Sequence, residues 1–255
     1  MATITLSTSI QPRSPKGGFA NEPFVDFKLP ENVRAMQEAL ALVGAQLSRE
    51  YDLVIGGRRL RTEGKIQSIN PAHPSQVVGI HQKAGAEHAE QAMQAALTAF
   101  KTWSRISAGQ RVSLLLGAAE IIRKRKLEFS AWLVYEVGKN WAEADADVAE
   151  TIDFLEFYSR EALRLTGSTT SIQLPGERNQ LIYIPLGVGA VIPPWNFPFA
   201  IMAGMTLASI VTGNTVVLKP SSDSPTIAAK FVDVLEKAGM PPGVVNFCPG
   251  SGTTF

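Results

Sequence analysis

Residues 188–220 read VGAVIPPWNFPFAIMAGMTLASIVTGNTVVLKP, and this stretch decides the fold. Val188 to Ile192 is a continuous apolar run, the pattern of a parallel strand covered on both faces. Phe199 to Val211 is an apolar helix ended by Gly213, and Thr215 to Lys219 is a second strand. Ser224 and Pro225 then make an N-cap and N1 pair for a helix through Ala238, closed by Gly239. Val244 to Cys248 is a third strand. Strand, helix, strand, helix, strand is one mononucleotide-binding half of a doubly wound sheet. Ligands of such a sheet lie beyond the carboxyl ends of its strands. That rule singles out Pro193 to Pro198, Lys219 to Asp223 and Pro249 to Phe255.

Composition bounds the rest. The chain has 255 residues, with 24 Lys+Arg against 23 Asp+Glu, a formal net charge of +1. Nucleic-acid and membrane-surface binders normally carry a basic excess, so neither is expected. The single cysteine, Cys248, excludes a disulfide within the chain and a multi-cysteine metal site. It fits a reducing, cytoplasmic setting. No basic start precedes the mildly apolar residues 1–10, so no secretory signal is read there. No charged residue falls between Arg178 and Lys219. A spanning helix needs about 20 apolar residues in a row. Pro185, Pro193, Pro194 and Pro198 break this run, which therefore reads as buried core.

Upstream, residues 1–30 carry six Pro and Gly punctuation points and no period, and read as an extended arm. A helix follows Pro30, with Val33, Met36, Leu40, Val43 and Leu47 on one face. Tyr51 to Leu60 reads as a hairpin turning at Gly56-Gly57, and Val77 to His81 as a strand. Four helices come next. Ala86 to Trp103 places Ala89, Met93, Ala96 and Phe100 on one face. Gln110 to Lys126 places Val112, Leu115, Leu116, Ala119 and Ile122. Leu127 to Val137 stops at Gly138, a C-cap. Trp141 to Leu165 has an acidic first half. Ser168 to Leu174 and Leu181 to Leu186 read as two strands about Pro175-Gly176. The expected division is residues 1–30, an arm; 31–165, helices and strands; 166–185, a hairpin; and 186–255, the βαβαβ half.

Each motif has a functional and a plain reading. In Pro194-Trp195-Asn196-Phe197-Pro198 two prolines stiffen the backbone around an uncharged amide. Such a loop can aim Asn196 at a developing oxyanion; plainly read, Asn196 caps the next helix. Lys219 ends its strand where dinucleotide sites hold a ribose-binding side chain; plainly read, it is solvated. Gly250-Ser251-Gly252 starts like a dinucleotide fingerprint, but Phe255 stands at the third glycine position. Glu143, Asp145, Asp147, Glu150 and Asp153 read as a mostly solvated helix face, and without a histidine nearby no metal site is expected. Cys248, inside an apolar strand, reads as packing rather than nucleophile. His73, His81 and His88 have no ligand spacing and read as surface or satisfied residues.

The blocks Leu186 to Gly189 with Pro194 to Pro198, Gly213 to Pro220, and Pro241 to Asn246 resemble the aldehyde dehydrogenase superfamily. Gly138 to Glu150, Ile152 to Phe154, Tyr183 to Gly187 and Asp223 to Pro225 are similar to its 1-pyrroline-5-carboxylate dehydrogenase branch, which oxidises L-glutamate γ-semialdehyde. The resemblance covers roughly residues 22 to 255. It implies an α/β fold with a Rossmann-like parallel sheet and N-terminal helices, stopping before the catalytic domain. The family's general-base glutamate and nucleophilic cysteine belong to later motifs, and Cys248 does not match that cysteine.

The chemistry implied is thiol attack on the aldehyde, hydride transfer to NAD and hydrolysis of the thioester. By motif, Asn196 would donate to the oxyanion. Ile192, Pro193, Pro194 and Trp195 would line the nicotinamide side. Lys219, with Ser221 and Ser222, would meet the adenosine ribose, and Gly252 the adenine half. Glu150 and Phe197 would touch substrate. Ser222 stands where the family often has a glutamate, so NADP would be tolerated. A small-molecule aldehyde and a homo-oligomer, assembled through the 166–185 hairpin, are the implied partners. A different substrate range, and a non-catalytic nucleotide-binding module, stay open as alternatives.

Overall fold

A computed structural model describes residues 18–167 and 172–253. The first seventeen residues of the expected arm, the start of the hairpin at Ser168–Ser171, and Phe255 lie outside the described residues.

The βαβαβ order is present. Strands β6 (Val188–Val191), β7 (Thr215–Leu218) and β8 (Val245–Phe247) run parallel. Helices α6 (Ala200–Val211) and α7 (Pro225–Lys237) connect them. The N-terminal half supplies the other side of this sheet. Strands β2 (Leu53–Ile55) and β3 (Arg58–Leu60) form the hairpin, and β2 lies antiparallel to β8 through Val54 and Phe247. The strand order is therefore β3-β2-β8-β7-β6. Gly56 and Gly57 turn the hairpin at φ 58° and 78°, both in the left-handed region a tight turn of this kind demands. The Asn246 side chain fixes the junction by accepting from the Gly56 N–H at 2.9 Å.

A second sheet was only partly expected. β1 (Arg49–Tyr51) runs parallel to β5 (Val77–Gln82), and β4 (Lys65–Ile69) antiparallel to it. β1 and β4 carry too many charged and polar residues to read as strands.

The helices α1 (Pro30–Gly44), α2 (Ala86–Trp103), α3 (Ala108–Lys124), α4 (Lys126–Val137) and α5 (Trp141–Thr166) follow the expected bounds within two or three residues. Gly138 caps α4 at φ 67°. The α3 face is as read, with all five of its apolar residues buried. The α2 face is not. Ala92, Ala96 and Trp103 are buried while Met93 is exposed, because α2 lays small residues over β7 and β2. Trp103 is the anchor: fully covered, it donates from Nε1 to the Ile210 carbonyl at 3.0 Å. Burying a side chain of this kind contributes about 1.5–3 kcal/mol. Phe129, Phe199 and Phe231 join α4, α6 and α7 through ring contacts at 5.1 and 5.9 Å. Gly204 lets α6 approach α5, since a Cβ there would meet the Phe154 ring at 3.1 Å.

Three further expectations change. β6 is an edge strand with Ala190 exposed, not a strand covered on both faces. Residues 172–187 form no strand. The turn at Pro175-Gly176 survives, held by Gln173 and Asn179 side chains rather than by a ladder. The acidic run of α5 is not a solvated face. Asp145 and Asp147 are buried, and Asp145 and Asp153 hold the arm instead. Asp145 accepts from the Val25 N–H at 2.8 Å and pairs with Lys126 at 2.9 Å. Asp153 accepts from the Glu22 N–H and the Asn21 amide at 2.6 and 2.7 Å. Residues 18–29 are thus bonded down despite having no regular structure.

Candidate functional site

The parallel register of β6, β7 and β8 brings the three expected loops to one end of the sheet. The Lys219 N–H donates to the Val191 carbonyl and the Cys248 N–H to the Leu218 carbonyl, each at 2.9 Å, so the strand ends stay paired up to the loops.

After β6, Ile192 is 49% exposed, Trp195 54% and Phe197 43%, while Pro193 and Pro198 are buried. The prolines root the loop and its aromatics face outward. Asn196 is exposed, and its amide makes no hydrogen bond among the described residues. It does not cap α6. That helix has no side-chain cap of its own. Asp147, from α5, accepts from the Ala200 N–H at 2.7 Å through Oδ1. Its Oδ2 pairs with Lys139 Nζ at 3.2 Å, and that ammonium sits 3.9 Å from the centroid of the Phe197 ring. Burial pushes the Asp147 carboxyl up, and the Lys139 charge pulls it back down.

After β7, Lys219 is 7% exposed, which rules out a solvated strand end. Its Nζ donates to the Pro220 carbonyl at 3.1 Å, the one bond it makes among the described residues. Burial pulls its ammonium below the ordinary lysine range. Ser221 is half-buried and Ser222 exposed. The loop ends at α7, where Ser224 makes no side-chain cap. Glu136 of α4 takes that role. Its carboxylate accepts from the Thr226 and Ile227 N–H groups at 2.6 and 2.7 Å and from the Ser68 hydroxyl at 2.8 Å. Burial pushes the Glu136 carboxyl up, against the pull of those donors. Both crossover helices are therefore capped by a carboxylate from the helical layer.

After β8, Gly250 bridges to Ala84 and Gly252 is exposed. Cys248 is fully buried beside Leu53, Ile55 and Val217, and burial pushes its thiol up to about 12. It stays a packing residue. Glu150 is exposed on α5, and its charge acts on Asp147. Among the described residues no group of three His, Cys, Asp or Glu could hold a metal. Nor is any helix among them long and apolar enough to cross a membrane.

The aldehyde dehydrogenase family model matches residues 59–255. This chain belongs to the aldehyde dehydrogenase family. The curated relatives agree with this aldehyde dehydrogenase chain along most of its length. It is 56% identical over 234 residues to the 1-pyrroline-5-carboxylate dehydrogenase of Geobacillus thermodenitrificans, covering 92% of the chain and 45% of the relative. A second such enzyme, from Bacillus subtilis, is also 56% identical over 234 residues, with the same coverage of both. Among solved structures, 1-pyrroline-5-carboxylate dehydrogenase from Thermus with bound NAD superposes with a TM-score of 0.91 at 49% identity, covering 94% of this chain and 47% of that one. The Mycobacterium tuberculosis enzyme bound with NAD gives 0.84 at 32% identity, over 93% and 45%. The aldehyde dehydrogenase chain thus spans about half the length of the relatives it matches.

The reading of the sequence missed Lys139, Asp147 and Glu136. A signal existed for Asp147: it lies in phase with Ala144, Val148 and Thr151, on the buried face of α5. A carboxylate inside an apolar stripe needs a partner.

Proposed function

We propose that this chain is the coenzyme-binding part of an NAD-dependent dehydrogenase that oxidises L-glutamate γ-semialdehyde to L-glutamate. The observation that carries the reading is the exposed, unbonded Asn196 amide on a proline-rooted loop at the carboxyl end of β6. Relatives named 1-pyrroline-5-carboxylate dehydrogenase, two of them solved with NAD, supply the substrate class.

Lys219 fits a dinucleotide. A buried ammonium has three donors, and Pro220 takes one. The other two suit ribose hydroxyls, with Ser221 and Ser222 beside them. Ile192, Pro193, Pro194 and Trp195 give an apolar wall for the nicotinamide side, and exposed Gly252 leaves room at the adenine half. A nicotinamide held there would supply the hydride acceptor for the oxidation of the aldehyde. Asn196 donates an amide N–H to the oxyanion that forms when a thiolate adds to the aldehyde. Its rigid mounting means little reorganisation at that moment. Phe197 and Glu150 border the substrate. Cys248 cannot be the nucleophile, since the thiolate is the attacking form and burial suppresses it. The exposed apolar side chains of Ile172, Ile184 and Leu186 support a homo-oligomer, and a lone buried cysteine supports a cytoplasmic setting.

Amide hydrogen exchange of the chain with and without NAD tests the reading. NAD should protect residues 195–197 and 219–223. Unchanged exchange in both loops at millimolar NAD refutes it.

A further inference from the structure

The N-cap position of α6 is held by Phe199, which has no side chain to cap with, and Asn196 lies three residues earlier on the loop. A residue from another helix makes the cap bond instead. Asp147, fully buried and 53 residues from Ala200 in sequence, satisfies the Ala200 N–H through Oδ1 at 2.7 Å. Its other oxygen pairs with Lys139 at 3.2 Å, and Lys139 covers the Phe197 ring at 3.9 Å. One carboxylate and one ammonium therefore hold the chain at Phe197 and at Ala200. Pro193, buried, holds it on the other side. Asn196 lies between fixed points and keeps its amide free.

We propose that Asp147 and Lys139 form a clamp that caps α6 at Ala200 and holds the loop at Phe197, and so positions the Asn196 amide for an incoming oxyanion. Both are positioning residues, since neither is placed against substrate or coenzyme. The purpose of the clamp rests on the function proposed above; its existence rests on the contacts alone. Removing the carboxylate leaves the Ala200 N–H without a partner and unfastens the loop from the start of α6. Removing only the ammonium frees Phe197 and leaves the cap in place.

The test reads the loop directly in this chain. Exchange is followed by NMR at Ala200, at residues 195–197 and at Leu133 in the α4 core, alongside acrylamide quenching of exposed Trp195. Asp147→Ala should raise Ala200 exchange about tenfold or more and make Trp195 more quenchable, with Leu133 unchanged. Lys139→Met should raise quenching of Trp195 and exchange at residues 195–197 while Ala200 stays protected, and Lys139→Arg should restore the wild-type values. If Asp147→Ala does not fold, Asp147→Asn and Lys139→Met decide. Asp147→Asn keeps the acceptor and loses the pair, so it should resemble Lys139→Met. Unchanged loop readouts in the folded variants, or changes spread equally to Leu133, overturn the proposal. The NAD-protection experiment on the unaltered chain is separate: failure there removes the functional reading and leaves the clamp to be judged on its own contacts.

Discussion

His81 offers a sharp test of the buried junction between the two sheets. Its ring is fully covered, stacked on Tyr51 at 4.9 Å with Phe247 edge-on at 6.3 Å. Nε2 shares a hydrogen bond with the Thr226 hydroxyl at 3.0 Å. Burial, with the Lys230 charge close by, lowers its pKa from 6.5 to about 3. The native state therefore keeps the ring neutral where the unfolded chain takes up a proton. The unfolded state binds more protons below pH 6.5, so stability falls as pH falls, from about 6.5 down towards 3. Integrating the linkage relation with those two values gives a loss of about 1.4 kcal/mol between pH 7.5 and 5.5. Other groups also titrate, so the informative quantity is the difference between the chain and His81→Gln. Urea unfolding of both at pH 7.5, 6.5 and 5.5 should show the wild-type chain losing about 1.4 kcal/mol more than the variant across that interval. Parallel pH dependences would mean that His81 is protonated in the fold, and the account of its burial would be wrong.

Glu136→Gln puts an NH₂ group among three donors, and should cost about 1–3 kcal/mol with an unchanged urea m-value; a loss below about 0.5 kcal/mol would show that the carboxylate does not cap α7. Cys248 in the native chain should resist a thiol reagent that labels it at once in denaturant, and the chain given glutamate semialdehyde and NAD should yield no NADH. Rapid native labelling would contradict its burial, and NADH formation that copurifies with the chain would contradict its inertness. Ser222→Glu should weaken NADP binding roughly tenfold more than NAD binding at low salt, because a carboxylate repels a 2′-phosphate. Equal effects on the two would place Ser222 away from the ribose.

What the sequence made legible follows from the range of the forces involved. Residues 188–248 announced themselves because apolar runs, Gly stops and Ser-Pro starts are local signals, and α3 did so because its apolar residues keep the helical period. β1 and β4 were hidden because charged and polar residues are tolerated on strands with an open face. The strand expected at residues 181–186 shows the converse: Ile182 and Ile184 have strand propensity, yet both are exposed and the segment joins no sheet among the described residues. In the site, the loop positions of Asn196 and Lys219 could be read from strand order. Their surroundings could not. Whether Lys219 is buried, and whether Asn196 is bonded, depends on Asp147 and Pro220 in three dimensions. The caps failed for the same reason: Ser224 suits the position, but a buried carboxylate brought by α4 satisfies two N–H groups at once.

The way β2 and β3 complete the sheet has a consequence for how the chain is made. Leu53 and Ile55 are buried, yet the strand they lean on, β8, is synthesised long after them; the Gly56 to Asn246 bond spans 190 residues. Thr215 likewise reaches back to the Ala96 carbonyl at 3.0 Å. The first half emerges from the ribosome with its hairpin and the inner face of α2 uncovered and with Glu136 and Asp147 still short of the helix N–H groups they cap, and it must wait for the second half. Contacts this distant in sequence slow folding and leave apolar surface bare meanwhile. The exposed link at residues 172–187 joins no sheet among the described residues. A chain cut there after folding should stay one particle, held by the interlocked sheet, whereas the two pieces made apart should each be poorly folded until they meet.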